Sequence, residues 1–389
     1  LPMVHIEIIK NDEFLISNIC KKVVYMKKFN EDLLLNKKYT IEYLKQTASL
    51  KMSSSAGILK EILSNDELAD IYPEWTTEKI YDKTGIKQRH IAGESETASD
   101  LAYLAAQNLF SRGKIQATDV DFIILCTQSP DYILPTSACL LQNRLGISTN
   151  TGALDINLGC SGYVYGLSLA KGLIESGAAK CVLLLTADTY SKFIHPMDKS
   201  VRTLFGDGAT ATAVIGTESA IPSISSFVFG TDGRGGNNLI VEAGLSRKPK
   251  SSDTALEIVD SSGNIRCEEN LYMNGAEIMG FSLKEVPIAV DKLLEKESVQ
   301  KEDVDFFILH QANKFMLDAL RKKLKVTEDK LPIFVENCGN TVSSTIPFVL
   351  ENMLNNGIFN TEKKLMLVGF GVGYSWAGCF LNLNFGESK

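Results

Sequence analysis

The stretch Ala153-Leu-Asp-Ile-Asn-Leu-Gly-Cys160-Ser-Gly-Tyr-Val-Tyr-Gly-Leu167 reads as a strand, a sharp turn and a buried helix. An apolar, alternating run is followed by a glycine, and beyond the turn the residues are small and apolar over a helical length. Cys160 then falls at the helix N-terminus. Unpaired backbone N–H groups and the helix dipole favour an anion there, so the thiol is expected to lean toward thiolate, its nucleophilic form. A single buried cysteine is ordinarily packing. The rest of the chain gives this one another meaning.

Working outward, the same unit recurs. Asp119-Val-Asp-Phe-Ile-Ile-Leu125 returns as Asp303-Val-Asp-Phe-Phe-Ile-Leu309, each after an amphipathic segment (about Asp100–Gly113 and Val286–Glu297). Both are short apolar runs, as strands buried on two faces require. Ala153–Cys160 then aligns with Ile333-Phe-Val-Glu-Asn-Cys-Gly-Asn340, and helices are predicted over Ser161–Ser176 and Thr341–Asn356. Lys180-Cys-Val-Leu-Leu-Leu-Thr186 aligns with Lys363-Lys-Leu-Met-Leu-Val-Gly369. Three matches in one order indicate two copies of one α/β unit. Packing about a pseudo-twofold axis would bring the helix starts at Cys160 and Asn340 together, with His310 at the end of its strand. The expected division is an N-terminal extension over 1–52, a first half over 53–219 carrying the cysteine, and a second half over 220–389 carrying His310 and Asn340.

Bulk composition is consistent with a large α/β body. The chain has 389 residues, 44% hydrophobic and 22% charged, with a net charge of −7. That balance argues against a nucleic-acid partner. No apolar run is long enough to span a bilayer, so no membrane role is expected. Eight scattered cysteines without a CxxC pair suggest reduced thiols in a cytoplasmic protein, with neither a disulfide frame nor a metal site.

The motifs resemble the thiolase-fold condensing enzymes, specifically β-ketoacyl-acyl-carrier-protein synthase III. The likeness runs from about Asn65 to Leu383. It is carried by Thr84-Gly-Ile-Lys-Gln-Arg-His-Ile-Ala92, the Cys160 segment, Leu204-Phe-Gly-Asp-Gly-Ala209, His310-Gln-Ala-Asn313, Gly339-Asn-Thr-Val-Ser-Ser-Thr-Ile-Pro347 and Gly369-Phe-Gly-Val-Gly-Tyr-Ser-Trp376. It implies a five-layer αβαβα fold with duplicated halves and a homodimer. It implies that Cys160 carries an acyl group, with the N–H groups of Cys160 and Gly373 as oxyanion hole. His310 and Asn340 would hydrogen-bond the thioester carbonyl of malonyl-ACP during decarboxylation. The substrates would be acyl-CoA or acyl-ACP and malonyl-ACP, with no bound cofactor.

The resemblance also implies substrate contacts at Leu134, Lys199, Gly275, Met279, Ala312 and Asn313. Three of these depart from the family pattern. Leu134 stands for a phenylalanine flooring the acyl pocket, Lys199 for an arginine against the CoA adenine, and Met279 for an aromatic on the pantetheine tunnel. The segment Trp75–Gly85 is longer than the family spacing, so no CoA role is carried onto Trp75. Lys314, Arg321, Lys322 and Lys323 form a basic patch suited to an acidic acyl carrier protein. His90 and His195 read as structural or surface residues, and Asp207 as a turn former.

Competing chemistries fail at particular residues. A 3-hydroxy-3-methylglutaryl-CoA synthase would need a glutamate where Gln128 stands. A thiolase would need a second cysteine in Gly369-Phe-Gly-Val-Gly373. A type III polyketide synthase shares Cys, His and Asn but fits the His-Gln-Ala-Asn and Phe-Gly-Asp-Gly-Ala segments less well. A synthase-III-like acyltransferase forming esters or amides is the alternative. A non-catalytic dimer partner would be expected to have lost its nucleophile.

Overall fold

The computed structural model describes residues 46–51, 61–113, 115–218, 222–359 and 361–383. Two sheets form its frame. The first contains β1 (Gln46–Lys51), β2 (Phe122–Cys126), β3 (Gly152–Ile156), β4 (Cys181–Asp188) and β5 (Gly208–Glu218), in the order β1-β5-β4-β2-β3. The second contains β6 (Ile224–Thr231), β7 (Phe306–Leu309), β8 (Lys363–Gly371) and β9 (Ser375–Leu383), in the order β7-β8-β9-β6. Strand β2 runs parallel to β4 as β7 does to β8, and β4 is antiparallel to β5 as β8 is to β9. The repeat seen in the sequence is therefore a repeat of topology.

Five layers result. Helices α1 (Ala98–Ser111) and α2 (Ser137–Arg144) cover one face of the first sheet. Helix α3 (Gly162–Glu175) touches strands of both sheets, and with α6 (Thr345–Asn355) it fills the central layer. Helices α4 (Gly275–Glu297) and α5 (Lys314–Leu324) cover the far face of the second sheet. All eight residues of β4 are buried, as expected of a strand with helices on both sides.

The paired aspartates of the two Asp-Val-Asp repeats have the same local task. Asp119 and Asp303 accept from the backbone N–H of Gln116 and Gln300, closing short 3₁₀ turns. Asp121 accepts from the N–H groups of Lys180 and Cys181, and Asp305 from that of Lys364. Each carboxylate thus fixes the register of a strand against its parallel neighbour.

Three expectations need correction. Strand β1 lies inside the segment 1–52 assigned to an extension; residues 1–45 and 52–60 lie outside the described residues. The segment Ile333–Asn340 aligns with β3 but forms no strand, so the second sheet lacks that edge. The helix predicted from Thr341 starts at Thr345, after a 3₁₀ turn at Val342–Ser344. The cause is local: Val342 has φ 55°, a left-handed conformation that breaks helical continuity.

Candidate active site

Cys160 ends the turn between β3 and α3, two residues before the helix proper. Glycine is required on both sides of it. A Cβ on Gly162 would lie 2.2 Å from Cys126 Sγ, and one on Gly159 would lie 2.5 Å from Gln128 Oε1. Behind the sulfur runs the C-terminal glycine motif. A Cβ on Gly371 would sit 2.8 Å from Cys160 Sγ, so this glycine is a close approach to the thiol and not an ordinary turn residue.

His310 follows β7 directly, and its N–H donates to Val368 O at 2.9 Å, which holds it to the sheet end. Its Nδ1 lies 2.7 Å from Thr345 Oγ1. The Phe370 ring meets the imidazole edge-on with centroids 5.5 Å apart. Asn340 is held through its backbone by the Phe-Gly-Asp-Gly motif: Asn340 N–H donates to Leu204 O, and Gly206 N–H donates to Asn340 O. A Cβ on Gly206 would lie 2.3 Å from Cys338 O, which explains the glycine there. The Asn340 Oδ1 accepts from Val342 N–H at 2.9 Å, leaving the Nδ2 amino group as its remaining donor.

Val342 is the hinge of this arrangement. A buried β-branched residue at positive φ costs roughly 1–3 kcal/mol, and here it turns one peptide toward Asn340 and the next toward Thr345.

Cys160, His310 and Asn340 all line one cavity of about 290 Å³, together with Phe370 and Gly371. Gly275, Ala312 and Asn313 line it as well. Asn313 also caps α5, accepting from Met316 N–H at 2.8 Å. Trp75 and Lys83, which the sequence reading left unassigned, lie in the same wall, with the ammonium groups of Lys79 and Lys83 5.4 and 5.6 Å from the Trp75 ring centroid. Trp75, Lys79 and Lys83 recur every four residues from just before the helix Thr77–Thr84 to its last turn, and that spacing was the available signal.

Other assigned residues are placed elsewhere. The N–H groups that favour the charged form of the Cys160 thiol are its own and that of Val372, the residue before Gly373. Gly373 lies past the approach, next to Tyr374, whose N–H is paired with Asp232 O. Lys199 does not line the cavity: its ammonium is engaged by Glu74 at 2.9 Å and Ser262 O at 2.8 Å. Met279 packs on the core beside the cavity-lining Ile278. Leu134 is 79% exposed, on a loop with Tyr132 and Ile133. Of the basic patch, Lys314 and Arg321 are drawn to Asp318, while Lys322 and Lys323 are exposed and project freely.

His195 pairs with Glu257 at 3.1 Å, away from the cavity, and His90 sits in the short strand Gln88–Ile91. Asp207 is more than a turn former. It is buried and ties two segments together, accepting from Ala92 N–H and from Ser191 N–H and Oγ.

The electrostatics reverse one expectation. Burial pushes the Cys160 thiol up to about 12, and the nearby Asp188 carboxylate adds to the rise. The N–H groups of Cys160 and Val372 oppose this, and burial wins. Burial likewise holds His310 down to about 3, so its ring is neutral at physiological pH. Asp188 is itself raised by burial to about 7, although Gln128 N–H and Ser343 donate to it. A neutral thiol, a neutral imidazole and an amide in an apolar cavity suit a reaction whose charge appears only transiently on substrate oxygen.

A second cavity of about 610 Å³ lies on the other side of the glycine motif, lined by Gln128, Tyr190, Phe193, Leu239, Leu271 and Val372. Gln128 Oε1 accepts from Tyr190 O–H at 2.6 Å, so it is committed to this wall. Among the described residues, no helix is long and apolar enough to cross a membrane.

Comparison with known proteins agrees with this geometry. Residues 154–233 match the family described as 3-oxoacyl-[acyl-carrier-protein (ACP)] synthase III, and residues 294–383 match its C-terminal part. Beta-ketoacyl-[acyl-carrier-protein] synthase III of Caldanaerobacter subterraneus subsp. tengcongensis is 36% identical over 336 residues, covering 83% of this chain and 96% of that protein. A crystal structure of a 3-oxoacyl-(acyl-carrier-protein) synthase III superposes with a TM-score of 0.86 at 63% identity, covering 87% of this chain and all of that one. A second, from Burkholderia xenovorans LB400, gives 0.79 at 36% identity, over 87% of this chain and 95% of its own. The chain belongs to the 3-oxoacyl-[acyl-carrier-protein] synthase III family of thiolase-fold condensing enzymes.

Proposed function

We propose that this site condenses an acyl thioester with malonyl-ACP, with loss of carbon dioxide, through an acyl group held on Cys160. The single observation that carries the reading is the convergence of Cys160, His310 and Asn340 on one cavity. The Cys160 sulfur attacks the thioester carbonyl. The carbonyl oxygen becomes an oxyanion facing the N–H groups of Cys160 and Val372, and the departing thiol takes the cysteine proton. Thioester exchange is nearly isoenergetic, so the acyl group stays transferable.

The malonyl thioester then enters the same cavity. Its carboxylate departs as carbon dioxide and leaves an enolate, with the charge on the thioester oxygen. The Nδ2 of Asn340 and the ring of His310 are the donors available to that oxygen. The enolate carbon attacks the acyl-cysteine carbonyl, the carbon–sulfur bond breaks, and the Cys160 thiolate released takes up a proton from solvent. The chemistry needs thioester substrates and no bound cofactor.

Acyl-CoA fits as donor because Trp75 and Lys83 offer a stacking surface and a cation at the cavity wall. The second cavity, reached past Val372, would hold the acyl chain. A homodimer is supported by two features. Strand β3 ends the first sheet with all five residues half-exposed, and beside the second cavity Tyr132, Ile133 and Leu134 project with exposures of 61, 84 and 79%. The exposed Lys322 and Lys323 would meet the acidic carrier protein. A cytoplasmic location follows from these substrates.

Intact-mass measurement after incubation with acyl-CoAs and acyl-ACPs tests the reading. An acyl adduct is expected on the wild type and not on C160A. Carbon dioxide release from malonyl-ACP is expected to fall about 10²-fold or more in H310A and N340A. No adduct with any donor, or an adduct that persists in C160A, overturns the assignment.

A further inference from the structure

His310 is neutral, so its ring carries one proton and two nitrogens compete for it. Nδ1 faces Thr345 Oγ1 at 2.7 Å, leaving Nε2 as the nitrogen available to substrate. A proton on Nε2 makes His310 a donor to an enolate oxygen. A proton on Nδ1 would instead turn a lone pair toward that oxygen and repel it. The tautomer therefore decides whether the histidine helps or hinders.

Thr345 holds the deciding proton. Its hydroxyl has one hydrogen and two acceptors in reach, His310 Nδ1 at 2.7 Å and Val342 O at 3.1 Å. Both side chains are 2% exposed, so water cannot substitute for either partner. The shorter contact is to the imidazole. The position of the hydroxyl is fixed, because Thr345 opens α6 and the left-handed turn at Val342 precedes it.

We propose that Thr345 is a positioning residue which donates its hydroxyl proton to His310 Nδ1 and so keeps the ring proton on Nε2. The inference rests on the condensing function proposed above, in which His310 donates to the substrate oxygen. It gives a task to a hydroxyl at the first residue of a buried helix.

The test uses the whole protein labelled with ¹⁵N-histidine. The chain has four histidines, and the His310 signal is identified by its loss in H310Q. The wild type is expected to show the proton on Nε2. In T345V, which removes the hydroxyl at nearly constant volume, the His310 signals shift toward the other tautomer. Carbon dioxide release from malonyl-ACP then falls about tenfold, while acylation of Cys160 by acyl-CoA stays within about twofold of wild type. T345S restores both the spectrum and the rate.

A wild-type spectrum with the proton on Nδ1 overturns the proposal, as does T345V with unchanged spectrum and rate. If T345V does not fold, the wild-type spectrum and T345S decide alone. A wild type that releases no carbon dioxide removes the functional reading, while the tautomer assignment stands or falls on the spectrum.

Discussion

Gly371 offers the sharpest test of how closely the Cys160 thiol is confined. A methyl group there would lie 2.8 Å from Cys160 Sγ and 2.9 Å from Cys160 Cβ. The sulfur can rotate, but Cβ is anchored to the backbone. Gly369, two residues earlier in the same strand, makes the same close approach, since a Cβ there would lie 2.6 Å from Cys160 O. Forcing an extra carbon into such a site costs about 1–3 kcal/mol. If the displacement falls on the attacking sulfur, acylation slows by roughly 5- to 150-fold at about 1.4 kcal/mol per decade. The assay is the rate of acyl-adduct formation on G371A by time-resolved intact mass, with urea unfolding alongside. G172A is the matched control. Gly172 lies exposed in α3 with nothing within 4 Å of a built Cβ, so alanine should stabilise by about 0.5–1 kcal/mol and leave acylation unchanged. A G371A protein that acylates at the wild-type rate would refute the confinement argument.

Four further outcomes follow from the structure. With the Cys160 thiol pushed up to about 12, its labelling by iodoacetamide in the substrate-free protein should rise about tenfold per pH unit from 7 to 9.5 without a plateau, while the exposed Cys139 labels first; a plateau near pH 8 contradicts it. D188N removes a carboxylate that raises Cys160, so it should speed that labelling above pH 7, and the gain should vanish below pH 7 as the wild-type Asp188 protonates at about 7. The same raised carboxyl means the folded wild type binds a proton that the unfolded chain has lost. Its stability relative to D188N should therefore fall as pH rises from about 4 to about 7 and then level off, as urea melts at several pH values would show. Reversing charge in K322E/K323E should raise KM for malonyl-ACP several-fold and flatten its salt dependence, with acylation by acyl-CoA unchanged; equal losses with both substrates would point to misfolding instead of docking.

Much of the architecture was legible because buried parallel strands leave a strong local signal. Asp119–Leu125 and Asp303–Leu309 alike name a strand and the carboxylate that pins it, since both tasks depend on residues adjacent in sequence. Cys160, His310 and Asn340 were legible from motifs for the same reason. What the motifs did not show depended on partners distant in sequence. Lys199 is bound by Glu74 and Ser262 O, a contact that no spacing rule encodes. The N–H of Val372 favours the charged form of the Cys160 thiol, a contribution set by how the glycine motif passes the sulfur and not by its spelling. The left-handed Val342 broke the predicted helix, since valine is a poor guess for positive φ.

The sequence by itself determined the duplicated α/β frame, the cysteine, histidine and asparagine that share one cavity, and the glycines that let strands and turns approach. These follow from periodicity, residue size and backbone freedom, which are properties of the chain. Only the tertiary structure decided the charge state of the site. A thiol at a helix start leans toward thiolate when it is solvated. Burial beside Asp188 pushes it the other way, because the cost of charging sulfur in an apolar cavity exceeds what two N–H groups return.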